Sequence, residues 1–276
     1  MRILHATDGS AGALAAAQFL GSLPLDSNCQ LTILTVVSGE EKADRHEILN
    51  AARAVLSHSK ASLETEVRRG HPEQEILQMA EASPTDLIAV GWTGHSAIAR
   101  FFVGSVTERV ARHASVPVLV ARPLRERLRR GVLGIDGSPG ATRAVEWLRG
   151  FPLPVDCEIR LVTVLTPVEE LTRTSRLLPL PLMSHEDAEA FAERQRRDAA
   201  AWLDELAASF ASGGQRAVTE IRRADPAAGL LEAAEEEGAD LIVVGSQGHG
   251  AIERFMMGSV SEKVLRQAHC SVLVVK

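Results

Sequence analysis

Three glycines and a serine recur in this chain at a spacing suited to holding an anion. Gly91, Gly94, Gly104 and Ser105 lie in GWTGHSAIARFFVGSVTERV, and Gly245, Gly248, Gly258 and Ser259 lie in GSQGHGAIERFMMGSVSEKV, 154 residues later and identical at 12 of 20 positions. In both, a Gly is followed by two residues, a second Gly, nine residues and Gly-Ser. Each segment leaves an apolar run, DLIAVG or DLIVVG, and opens a helical pattern, GSVTERVARHA or GSVSEKVLRQA. Strand, glycine loop and helix start is an arrangement in which backbone amides and the helix dipole receive a phosphate. Gly91 and Gly94, like Gly245 and Gly248, would permit positive φ and close approach of the backbone to a ligand. Gly104 to Val106 and Gly258 to Val260 would present amides at the helix start, with the serine hydroxyl as one more donor. His95 and His249, and Arg100 and Arg254, stand in the same loops and either touch phosphate or face solvent. The spacing matches neither GxGxxG nor GxxxxGK[ST].

A ligand-free explanation competes for the serines. Ser105 with Glu108, and Ser259 with Glu262, are S-x-x-E capping boxes, which stabilise a helix start by about 1 kcal/mol with no ligand present. A cap does not account for Gly91, Gly94 or the nine-residue spacer. The chain holds no HxGH, no SGGxDS, no Walker lysine and no carboxylate cluster for a catalytic metal beyond Asp8 and Asp136. No catalytic residue and no metal ligand is therefore assigned, and at most slow hydrolysis of a bound phosphate is compatible with the sequence.

The elements that position these loops occur twice. ILHATDGS (Ile3 to Ser10) matches LGIDGS (Leu133 to Ser138) at an offset of 128, shared by Cys29 and Cys157; by VRRGHP and IRRADP the offset is 154. The second copy thus carries 26 extra residues, between Val164 and Ala217. Each copy alternates short β-branched runs with helical spacing, a parallel α/β signature, and the strands are apolar throughout, as when helices cover both faces. Pro72 and Pro226 mark helix starts. The expected domains are 1–124 and 129–276, joined by RPLRERLRR as a solvated linker, with the insertion near 166–197.

Composition fits two folded domains: 276 residues, 45% hydrophobic, 24% charged. The net charge of -6 divides as -2 for residues 1–124 and -4 for the rest, so neither half is built for nucleic acid. Asp8 interrupts any signal-peptide core and no apolar run reaches membrane-spanning length, so the expected compartment is the cytoplasm with no membrane partner. Cys29, Cys157 and Cys270 form neither a CxxC nor a Cys/His cluster, and buried, inert thiols are expected.

The ATDGS and GIDGS turns, together with VGWTGHSAIARFFVGSVTERVARHASVPVLVA and VGSQGHGAIERFMMGSVSEKVLRQAHCSVLVV, resemble the universal stress protein family across both halves. The G-2x-G-9x-G-[S/T] pattern marks that family's ATP-binding branch. The departures are Ser271, where the first copy has Pro117, and the insertion. The resemblance implies two tandem domains, each an open five-stranded parallel sheet covered by helices on both faces, as in adenine nucleotide alpha hydrolases. It places ATP, with Mg²⁺ as a companion ion, at the carboxyl ends of the strands, one nucleotide per domain. Ala6, Thr7 and Asp8, with Gly134, Ile135 and Asp136, would border adenosine, and Val36 and Val164 would meet adenine. Turn formation competes for the aspartates, and core packing competes for the valines. The implied role is stress-response regulation through nucleotide state, with an unknown protein partner and a homodimer possible. The alternatives are an ATP-using enzyme of related fold and a ligand-free interaction module. The resemblance also implies pairing of the final strands, VPVLVA with SVLVV. In the insertion, Ser184 followed by acidic residues, Phe191, Trp202 and Leu206 predicts a capped amphipathic helix, after a long apolar-tipped loop through Leu177 to Met183.

Overall fold

The computed structural model describes residues 1–37, 45–93, 103–167, 185–248 and 257–276. The first half runs β1 (Arg2–Ala6), α1 (Ala11–Gly21), β2 (Gln30–Val37), α2 (Arg45–Val55) with a 3₁₀ turn at Leu56–His58, β3 (Ser62–Arg69), α3 (Pro72–Ala82), β4 (Leu87–Gly91), α4 (Ser105–His113) and β5 (Val118–Ala121). The second runs β6 (Arg130–Gly134), α5 (Pro139–Arg149), β7 (Glu158–Leu165), α6 (His185–Ser212), β8 (Arg216–Arg223), α7 (Pro226–Glu236), β9 (Leu241–Gly245), α8 (Ser259–Gln267) and β10 (Ser271–Val275). Pro72 and Pro226 open α3 and α7, where a missing amide costs nothing.

Within each half five strands run parallel, in the order β3-β2-β1-β4-β5 and, mirrored, β10-β9-β6-β7-β8. The order reverses beside β1 and β6, which opens a crevice at the carboxyl ends of β1 and β4, and of β6 and β9. Alternate strand residues feed two cores. Ile3, Leu31 and Ile33 pack under α1 and α2, and Leu133, Ile159 and Leu161 under α5 and α6. Leu4, Leu34 and Ile88, with Val132 and Val162, pack under α3, α4, α7 and α8.

The two sheets join edge to edge. β5 pairs antiparallel with β10 through Val118–Val274, Leu119–Leu273 and Val120–Val272, giving one ten-stranded sheet. Residues that correspond at the 154 offset exchange places across this seam, so a pseudo-two-fold axis passes at the Leu119–Leu273 pair. Ser271, the departure from Pro117, belongs to the seam: its hydroxyl accepts the Arg122 amide at 3.1 Å and is buried.

Two expectations change. The linker is anchored, because Leu128 is fully buried and Asp240 accepts the amides of Arg129 and Arg130 at 2.8 and 3.1 Å. Leu124 also packs partly against this core, and two leucines are too few for periodicity to reveal. The insertion lengthens both the connection after β7 and the helix that follows, so α6 has 28 residues against 11 in α2. Leu203 and Phe210 bury the carboxyl-terminal part of α6, with Trp202 and Leu206 packed alongside, whereas Phe191 is 41% exposed. Phe191 falls on the same helical stripe as Trp202 and Leu206 but, nearer the start of α6, does not share their burial. Ser184 and Leu177 to Met183 lie outside the described residues.

Candidate functional site

The turn after β1 repeats after β6 in detail. Gly9 and Gly137 both take φ +77°, a conformation that glycine adopts without strain. Asp8 Oδ1 accepts the Ser10 amide at 3.0 Å, and Asp136 Oδ1 accepts that of Ser138 at 2.9 Å. The serines cap α1 and α5, accepting the amides of Ala13 and Ala141, each at 3.2 Å. D-G-S is thus aspartate turn, glycine and cap. A Cβ on Gly248 would come within 3.1 Å of Asp136 Oδ2, so the glycine loop passes directly over that oxygen.

Gly91 and Gly245 are glycines for a reason other than positive φ, which neither adopts. A Cβ on Gly91 would lie 2.2 Å from the Gly12 carbonyl carbon, and one on Gly245 2.5 Å from that of Gly140. Conversely, a Cβ on Gly12 would lie 2.0 Å from Thr93 O, and one on Gly140 1.9 Å from Gln247 O. Helices α1 and α5 therefore cross the ends of β4 and β9 with backbone against backbone. Gly12 and Gly140 stand outside the recurring glycine loop, and the signal for them is their own 128 offset.

The serines of the helix starts are not capping-box residues. The N-caps of α4 and α8 are Gly104 (φ -62°) and Gly258 (φ -68°), and among the described residues no side chain caps either end. Ser105 and Ser259 are the exposed first residues of the helices. Their partner glutamates turn to the seam: Glu108 meets Arg112 at 3.4 Å and Arg266 at 2.7 Å, and Glu262 meets Arg112 at 3.1 Å and Arg266 at 3.0 Å. The base of each loop is closed by a backbone bond, Gly104 N to Trp92 O at 2.8 Å and Gly258 N to Ser246 O at 2.7 Å. Among the described residues a Cβ on Gly258 would meet no atom nearer than 3.5 Å, and its φ is not one that calls for glycine.

In the second half these pieces enclose a cavity of about 950 Å³. Gly134, Ile135, Asp136, Val164, Gly245, Gly248, Gly258, Ser259 and Val260 all line it. Its lining joins polar residues, Asp136, Ser138, Gly248, Ser259 and Ser261, to apolar ones, Val164, Leu165, Pro226 and Leu230. Asp136 is the one charged side chain among the described lining residues. Thr163, whose hydroxyl donates to Ile135 O at 2.9 Å, and Met257 and Gln195 complete the wall without a signal in the motif. Gln195 comes from α6, in the insertion.

The first half sets out the corresponding backbone. Ala6 and Val36 are half-buried, Thr7 is buried, Asp8 and Ser105 are exposed, and Val106 packs partly on the core. The Thr107 hydroxyl donates to Gly91 O at 2.6 Å, as that of Ser261 does to Ser246 O at 3.1 Å. Gly94, His95, Arg100, His249 and Arg254 lie outside the described residues.

Other titratable groups are structural. His5, on the strand that delivers Ala6 to Asp8, is fully buried with Nδ1 3.2 Å from Ala89 O and no partner at Nε2. Burial pushes its imidazole down to about 4. All three cysteines are buried and free, and burial pushes Cys157 and Cys270 up to about 12, the behaviour of inert thiols. Among the described residues no group of three His, Cys, Asp or Glu is arranged to hold a metal ion, and no helix is long and apolar enough to cross a membrane.

Known proteins share this architecture. A universal stress protein of Mycolicibacterium smegmatis is 28% identical over 261 residues, covering 88% of this chain and 80% of that protein. Slr1230, a universal stress protein of Synechocystis, is 37% identical over 123 residues, 44% of this chain and only 42% of the relative's length. Among solved structures, a universal stress protein from Archaeoglobus fulgidus superposes with a TM-score of 0.64 at 20% identity, covering 100% of this chain and 98% of that one. A protein of unknown function from Pseudomonas aeruginosa, PA1789, gives 0.70 at 17%, covering 100% and 92%; at such identities the likeness speaks for the fold. The universal stress protein family model matches residues 1–122 and again 128–276. The repeated turn, glycine loop and helix start are therefore the marks of a tandem chain that belongs to the universal stress protein family.

Proposed function

We propose that each half binds one adenine nucleotide, ATP in the first instance, and that a protein partner responds to the occupancy of the two sites. The observation that carries this reading is the start of α8. Among the described residues nothing crowds a side chain at Gly258, its φ is one any residue adopts, and no described side chain caps the helix. Its amides open into a cavity that apolar side chains also line. Amides for an anion together with an apolar lining suit a nucleotide. Val164 and Leu230 would flank the base, and Ser259 to Ser261 would hold phosphate. The carboxylate of Asp136 would face the ribose or a phosphate-bound Mg²⁺. With no cation among the described lining residues, the triphosphate charge would be met by amide dipoles and by the ion that accompanies it.

The protein is read as holding nucleotide more than consuming it, since Asp136 is a lone carboxylate already engaged by the Ser138 amide. Pairing of β5 with β10 inside the chain occupies the strand edges through which a bare interaction module would dimerise. Calorimetry with ATP and Mg²⁺, supported by native mass spectrometry, should give two nucleotides per chain. Gly258→Val and Gly104→Val should each leave one. Two sites in both variants, with circular dichroism unchanged, would overturn the assignment.

A further inference from the structure

The two halves differ where α6 enters the second cavity. Gln195 lies on the part of α6 that precedes its packed carboxyl-terminal turns, and its half-buried side chain lines the cavity. Val164, Leu165 and Thr166, from the end of β7 and just beyond it, line the same cavity, as does the start of α8. Gln195 belongs to the stretch of extra residues that only the second half carries, and among the described residues the first half has no counterpart to it. A primary amide both donates and accepts hydrogen bonds and adds no charge.

We infer that Gln195 is a ligand-contacting residue of the second site, pairing through its side-chain amide with the hydrogen-bonding edge of the base and making the two sites of the chain unequal. The inference rests on the nucleotide reading above. Val164, Leu165, Pro226 and Leu230 bring aliphatic side chains to the lining, so a base seated against them has few side-chain partners for its polar edge apart from Thr166 and Gln195. A purine edge with an exocyclic amino group beside a ring nitrogen presents one donor and one acceptor in a plane. A glutamine amide meets such an edge with two hydrogen bonds. Gln195 is also held for the task, since it projects from a helix that Leu203 and Phe210 fix to the core.

The test uses the full chain carrying Gly104→Val, so that only the second site is titrated, with and without Gln195→Leu. Leucine keeps the helix and nearly the volume while removing both polar groups. Calorimetry is run with ATP and with purine riboside triphosphate, which lacks the amino group. Gln195→Leu should weaken ATP about tenfold and the amino-less analogue clearly less, and Gln195→Glu should not restore ATP affinity. In the Gly258→Val chain, where only the first site remains, Gln195→Leu should change nothing. Equal weakening of both nucleotides, or no change in either, would overturn the role of Gln195 while leaving nucleotide binding intact. Absence of ATP binding in the Gly104→Val chain, with the fold preserved, would instead overturn the reading on which the inference rests.

Discussion

Replacing His5 with Leu should make the first half resistant to mild acid. The matching residue of β6 is Leu133, fully buried in the same core layer, so leucine has the right shape. His5 is buried, with Nε2 unpaired, and its imidazole is pushed from 6.5 down to about 4. The Ala89 carbonyl and the Asp8 carboxylate pull the other way, and burial outweighs both. The unfolded chain therefore takes up a proton below pH 6.5 that the folded chain refuses until about pH 4. Over that window the wild type loses about 1.4 kcal/mol per pH unit, or about 3 kcal/mol in all, and none above pH 7. Urea unfolding of wild type and His5→Leu from pH 7.5 to 4 measures the difference. Hydrogen exchange at β1 and β4 amides reports it locally. The variant should be at least as stable as wild type at pH 7, with its advantage growing by about 3 kcal/mol by pH 4. A difference that stays flat with pH would refute the reasoning, because an imidazole that charges freely in the folded state cannot be desolvated as described.

Two further outcomes follow from the packing. Gly140→Ala puts a Cβ 1.9 Å from the Gln247 carbonyl oxygen, backbone that cannot turn aside, and should cost about 3 kcal/mol and lower Tm by about 6–10 °C; Gly150→Ala, whose nearest contact would be an ordinary 3.7 Å, should change stability by less than about 0.5 kcal/mol. Residues 1–124 expressed alone should self-associate through β5, whose apolar side chains lose the β10 cover, and Leu119→Asp should abolish the association in sedimentation; a fragment that stays monomeric at high concentration would contradict this.

What could be read from the sequence was whatever repeats along the chain. Two copies make each motif its own control, so the strand runs, the D-G-S turns and the glycine loops stand out at 128 and 154 residues. Nine second-half positions drawn from them line one cavity. Illegible parts depend on what lies across space. Gly91 was read for ligand approach, and its Cβ position is filled by Gly12, which no local spacing relates to it. Gln195 is reached only because α6 is long enough to bring it to the crevice, a length that 26 extra residues permit but do not dictate. Leu128, with Leu124 partly packed on the same core, anchors a stretch of arginines, and two leucines are too few to announce a period.

The capping-box reading shows how a correct local rule can miss when a residue has a distant partner. S-x-x-E satisfies the rule at both helix starts, and in isolation the serine would cap and the glutamate would reach back. Here the chain folds so that α4 and α8 come together across the pseudo-two-fold axis at the β5–β10 seam. Glu108 and Glu262 then find Arg112 and Arg266 of both helices, a ring of four charges each near 30% to 52% exposed. Exposed pairs of this kind contribute at most about 1 kcal/mol each, so the ring is a weak clamp compared with the buried strands beside it. Its larger consequence is at the helix starts. With the glutamates drawn to the seam and the serines one step inside the helix, the caps fall to Gly104 and Gly258, which offer no side chain. The strands join the two halves, and the glutamates that bridge the seam beside them are the ones withheld from the helix starts, whose amides no described side chain caps.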